Sequence, residues 1–180
     1  MKKIIPILLA GLSLILFGVF IAKNEQHLAT GQSIYVSLAP VDPRALLQGD
    51  YMALRYDLNF VGALAKAPIG ALPLAYVALD AQGRVLKSSF KPDSLVGLGR
   101  VHPLQLKMGR AEQPFPASDS YFFAEGLASC YEQARFALFK VSAQGKPMLA
   151  DLVDEQLQTL NCEAQQKWQN GAQKDARDEL

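Results

Sequence analysis

The chain is poor in the residues that most often build reactive centres, with 2 cysteines, 2 histidines and 1 tryptophan among 180 residues. No CxxC occurs and no cysteine neighbours a histidine, so a zinc site is not expected. His102 stands alone, far from His27, which lies just after an apolar N-terminal run. An excess of charge is lacking too. Lysine and arginine number 18 against 17 acidic residues, a net charge of +1, so neither an acidic tail nor a nucleic-acid-binding surface is indicated. Missing as well are the GxSxG elbow, HExxH, the P-loop and a GxGxxG following a strand, each of which places a nucleophile, metal or phosphate by fixed spacing. These patterns assign no catalytic residue, no metal and no cofactor.

What the chain has in quantity is apolar surface, 50% of its residues. Residues 4–22 carry no charge and are interrupted only by Pro6, Gly11, Ser13 and Gly18 among aliphatics and phenylalanines. Helical, that run would reach roughly 28 Å, about the thickness of a bilayer core. Cleavage as a signal peptide would need small residues at the last and third-last positions before the cut. A cut after Ala22 puts Phe20 in the third-last place, so a retained signal-anchor is expected. Lys2 and Lys3 precede the run, while Lys23, balanced by Glu25, follows it; the positive-inside rule leaves residues 1–3 cytoplasmic. The expectation is a single-pass membrane protein with a juxtamembrane spacer at 23–31, a domain at 32–168 facing the periplasm or an equivalent exterior, and a polar tail at 169–180. Cys130 and Cys162 both fall in that exterior domain, where oxidation is permitted. They are either a disulfide, worth roughly 3 kcal/mol in the chain-entropy model, or two buried thiols.

Beyond the spacer the hydrophobic period is mostly two. Ile34, Val36 and Leu38 alternate with Tyr35, Ser37 and Ala39, a half-buried strand that Pro40 ends. Asp42 is suited to cap a short helix and Pro43 to its first position, while Gly49 can take the left-handed conformation that closes it. A strand follows, with Met52, Leu54, Tyr56 and Leu58 on the core face and Tyr51, Ala53, Arg55 and Asp57 facing water or a partner. Two β-hairpins are predicted at the repeated Ala-Gln-Gly of residues 81–83 and 143–145, where glycine supplies positive φ. Another strand is expected over 101–108, closed by Gly109. Loops are expected over 92–99 and 112–120, a short helix over 127–135 and a longer one over 154–168. The sum is an α+β fold, mainly antiparallel β with hairpins and short helices, on one N-terminal transmembrane helix.

The Gly49-Asp50 pair opening a strand invites comparison with signal peptidases, which carry a Ser-Met-x-Pro segment before such a pair. Here no serine lies between Ala39 and Gly49, so the nucleophile of an acyl-enzyme is missing. Asp50 and Tyr51 are the residues that fold explains least. Tyr51 shares its strand face with Arg55, and both types are enriched where partners anchor. Glu125, in the apolar company of "YFFAEGLASCYEQARF", is explained most simply as the partner of Arg44, Arg55 or Arg135, and otherwise as a polar group lining a cleft beside the Gly49-Asp50 loop.

"GDYMALRY", residues 49–56, matches the motif naming the GDYXXLXY family of membrane-anchored bacterial proteins: Gly49, Asp50, Tyr51, Leu54 and Tyr56 all fit. "VDPRALLQ" before it and "FFAEGLASCYEQARFALFKVSAQGKPMLADL" after it also resemble segments of that family. The resemblance implies a short anchor, an exterior domain and frequent genomic association with a multi-spanning membrane protein of unknown function, and it carries no assigned reaction. Expected, then, is a non-enzymatic accessory subunit docking on such a protein, with Gly49, Asp50, Tyr51, Arg55 and Glu125 as the interaction candidates. Two alternatives stand beside it: an envelope hydrolase using carboxylates near Asp50 and Glu125, and a periplasmic ligand-binding module.

Overall fold

A computed structural model describes residues 5–39, 51–61, 72–108, 114–124 and 126–164. Asp42, Pro43, Gly49, Asp50 and Glu125 lie outside the described residues, as do Pro40 and Gly109, the short helix expected before Gly49 and the tail after 164. Helix α1, Ile5–Thr30, begins the described chain, and its window Leu9–Thr30 is long and apolar enough to cross a membrane, with 0% of it buried against the domain. The polar spacer is helical over most of its length. It continues the helix to Thr30, where Thr30 Oγ1 donates to Gln26 O and the Gly31 amide donates to His27 O.

Strands β1 (Gln32–Ser37), β10 (Phe136–Val141) and β11 (Pro147–Val153) form an antiparallel sheet in the order β1-β10-β11. A second, mixed sheet has the order β3-β5-β4-β6, from Phe60–Val61, Val85–Ser89, Leu74–Leu79 and Arg100–Gln105, with β3 parallel to β5. Two small ladders complete the set: β2 (Tyr51–Ala53) with β9 (Ser120–Phe122), and β7 (Lys107–Met108) with β8 (Pro114–Phe115). A four-residue helix α2 spans Ala128–Tyr131. One core joins the two larger sheets. Ile34, Val36, Ala137, Phe139, Val141 and Leu152 of the first meet Ala75, Val77, Leu79 and Leu104 of the second, all buried. The alternating apolar residues of the sequence are those inward positions, and burying each side chain contributes about 1.5–3 kcal/mol before entropy is charged.

Both hairpins turn where the Ala-Gln-Gly repeats stand, with Gly83 at φ +88° and Gly145 at φ +85°. At the first turn Asp80 Oδ1 accepts the Gln82 and Arg84 amides, and Arg84 Nε lies 2.7 Å from Asp80 Oδ2. Desolvation works against the Asp80 charge, but the Arg84 side chain, the two amides and the Arg84 charge outweigh it and hold the carboxyl below its ordinary range.

Four expected elements differ. In the loop expected over 112–120, Pro114 and Phe115 form β8 and Ser120 begins β9. A single turn of 3₁₀ helix at Pro92–Leu95 occupies part of the loop 92–99, because Leu95 is fully buried and needs a fixed backbone to reach the core. The expected strand 101–108 divides into β6 and β7 around Leu106, whose amide donates to Pro73 O. The helix expected from 154 does not form before 162. Asp154 Oδ1 instead accepts the Gln156 and Gln158 amides, Leu157 adopts φ +62° and Thr159 bridges back to Val153. A short acidic side chain competing for backbone donors overrides the helical spacing of Leu157 and Leu160.

Candidate functional site

The described part of the "GDYMALRY" stretch changes partner midway. Tyr51, Met52 and Ala53 pair with Phe122, Tyr121 and Ser120, and the Leu54 amide donates to Asp119 O. Two residues on, Tyr56 bridges Leu38, the Ala39 amide donates to Arg55 O and the Asp57 amide to Ser37 O. One strand therefore fastens the β2-β9 ladder to the end of β1, which is how strands turn corners between packed sheets. Met52 and Leu54 are buried, Tyr56 and Leu58 partly so, and Ala53, Arg55 and Asp57 face outwards.

Tyr56 does the most specific fastening. Its ring packs on Phe139, centroids 5.6 Å apart, and its hydroxyl donates to Ser118 O at 2.6 Å. Burial, reinforced by the Asp119 charge, pushes the phenol pKa well above its ordinary value, so near neutral pH it is a protonated donor. The segment it holds is bent: Ala117 has φ +48°, and the Ser118 amide donates to Pro116 O.

That bent segment is the wall of a cleft of about 280 Å³. Leu72, Leu106, Met148 and Leu149 give the cleft an apolar lining, with Ala117 and Ser118 on the wall that Tyr56 holds. Lys107 and Lys146 contribute its charge, and no carboxylate is among its described lining residues. Lys107 Nζ also donates to Ala117 O at 2.6 Å, bracing the wall from the other side. At the opposite end of the same segment lies a polar hollow of about 470 Å³, where Tyr121, Tyr131, Asp151, Asn161 and Glu163 converge. Tyr121 and Tyr131 rings sit 5.2 Å apart, and burial first, then the hydrogen bond with Tyr131, raises the Tyr121 pKa. Cys162, joined to Cys130 by a disulfide with Cα atoms 5.8 Å apart, is among its lining residues.

Of the residues singled out by sequence, Leu54 and Tyr56 converge on the segment between these recesses, while Arg55 points outwards from it. Tyr51 is placed by its backbone pairing to Phe122. The carboxylate pair Asp50 and Glu125 falls outside the described residues, and Arg135 Nη1 donates to Ala134 O. Sequence reasoning missed Lys107, Lys146, Asp151 and Glu163, because their nearness comes from strands distant in sequence. Tyr121 and Tyr131 carried a signal, the aromatic density of "YFFAEGLASCY". Among the described residues no group of three or more His, Cys, Asp or Glu side chains is placed to hold a metal ion.

The family model described as GDYXXLXY protein matches residues 13–152, most of the chain. Searches of curated proteins and of solved structures return no match.

Proposed function

The chain belongs to the GDYXXLXY family, and from that premise we propose that it is a non-enzymatic accessory subunit, held by α1 in the bacterial inner membrane with its domain in the periplasm, that docks on a multi-spanning membrane protein. The observation that carries this reading is the use of the motif: Tyr56 and Leu54 hold the wall of an apolar, lysine-bearing cleft. A recess of that kind takes an apolar anchor side chain and an acidic neighbour from a partner. The Cys130–Cys162 disulfide supports an oxidising exterior for the domain. Support for a fixed presentation comes from the base of α1, where His27 Nε2 lies 3.1 Å from Lys140 O.

The test is co-purification of tagged full-length protein from native membranes in mild detergent, beside Leu72→Glu and an Asp50→Ala/Tyr51→Ala double variant. Leu72 is 52% exposed, so its replacement leaves the core intact. A multi-spanning protein recovered in stoichiometric amount with the wild type and lost with Leu72→Glu is the expected result. A lone monomer from every membrane preparation would sink the proposal.

A further inference from the structure

The stretch after the 3₁₀ turn is unusually apolar for a surface loop. Val96 is 78% exposed and Leu98 43%, with exposed Val101 just beyond in β6. These side chains do not hang on slack chain. The buried Leu95 anchors the loop, the Leu98 amide donates to Leu95 O, and Gly99 passes so near Leu79 O that a Cβ there would collide with it. Gly97, at φ +86°, has open space around it. The loop is a built turn that holds two aliphatic side chains outwards.

Its place in the fold says towards what. Thr30 ends α1 and β1 begins at Gln32, so residues 32–35 mark the side of the domain nearest the helix. The first hairpin's turn sits there: the Tyr35 amide donates to Gly83 O, and Gly83 packs on Ser33 O. The second hairpin's turn is there too, because Val141 pairs with Gln32, and Gly145 rests on Pro103 and Leu104. The corner Leu79–Arg100, from which loop 96–99 projects, lies along the sheet margin between those two contacts. All three therefore share the helix side of the domain. From residue 23 to 30 the helix rises about 10 Å, and the headgroup layer beyond the hydrocarbon is about 5–8 Å thick. The underside of the domain is thus within a few Å of the headgroups. Arg100, exposed, directly follows the loop, and Lys91 and Asp93, both exposed, precede it at the start of the 3₁₀ turn.

We propose that loop 96–99 is a second membrane contact, in which Val96 and Leu98 enter the lipid interface beside the anchor while Lys91 and Arg100 face anionic headgroups. This rests on the reading of α1 as a membrane anchor. Apolar side chains entering the interface with basic neighbours at headgroup level are how peripheral elements hold a bilayer.

The test labels an introduced thiol with an environment-sensitive fluorophore in full-length protein, the Cys130–Cys162 disulfide kept oxidised. Reconstitution is into vesicles of phosphatidylethanolamine and phosphatidylglycerol containing spin-labelled lipid as quencher. Four variants with three label sites are compared: Ile15→Cys in α1, Leu98→Cys in the loop, Glu155→Cys just past the far end of β11, and Leu98→Cys combined with Val96→Asp. The expected result is blue-shifted, lipid-quenched emission at Ile15 and at Leu98, several-fold stronger quenching at Leu98 than at Glu155, and loss of the Leu98 signal with Val96→Asp. Quenching at Ile15 with a water-like Leu98 overturns the loop contact and leaves the anchor standing. A water-like Ile15 overturns the anchor itself. A Leu98 label that becomes shielded only in native membranes, and not in protein-free vesicles, overturns the lipid contact in favour of a protein one.

Discussion

At the scale of the residue, Tyr56 is where the motif's letters acquire a physical reason. A phenylalanine would keep the contact with Phe139 but leave Ser118 O without its donor, a loss of about 1 kcal/mol. Tyr56→Ala also removes the ring, and about 3–5 kcal/mol is expected by analogy with other large-to-small core changes. Urea titrations of the two variants should give that order. The pH dependence has a definite sign. Because the folded state raises the pKa of Tyr56 above the unfolded value of about 10, its contribution is complete below that pH and is lost as pH rises beyond it. The gap in stability between wild type and Tyr56→Phe should therefore narrow above about pH 10. A gap that stays constant into alkali would mean the phenol ionises as freely in the folded protein as in the unfolded one. Leu54 and Tyr56 were legible as core positions from alternation alone. The hydroxyl's partner was not, since Ser118 is 62 residues away and a backbone oxygen carries no sequence signature.

Among the elements, local signals decided correctly wherever the backbone had a single strong preference. Gly83 and Gly145 fixed both hairpins, and the period-two residues of β1 fixed its buried face. Local signals failed where a tertiary tie or a side chain competing for backbone amides set the conformation. Residues 154–160 have helical spacing, yet Asp154 turns them, and Cys162 is then drawn to Cys130 on α2. That tie spans a sequence separation of 32 and should stabilise the fold by roughly 3–4 kcal/mol in the chain-entropy model. Reduction, or a Cys130→Ser/Cys162→Ser pair, is expected to lower the urea midpoint accordingly. The near-UV signal of the Tyr121, Phe123 and Tyr131 cluster should weaken with it, because Tyr131 adjoins the bond. An unchanged midpoint would show that the strand ladders alone hold this end.

For the whole molecule, the junction at Gly31 matters more than its size suggests. A side chain at Gly31 would meet His27 O at 2.7 Å and Lys140 Cβ at 3.1 Å, and Lys140 Nζ in turn donates to Ser33 Oγ. Helix and sheet meet closely at this junction, so the domain's compass bearing follows the count of residues below it. One residue added between Ala22 and Lys23 would swing that bearing by about 100° and lift the domain by about 1.5 Å, whereas four would bring it back to within about 40° at a rise of about 6 Å. If the anchor lies against the helices of a partner, the single insertion should cost more co-purified partner than the fourfold one. The reverse order would make altitude, not heading, the quantity that the protein regulates.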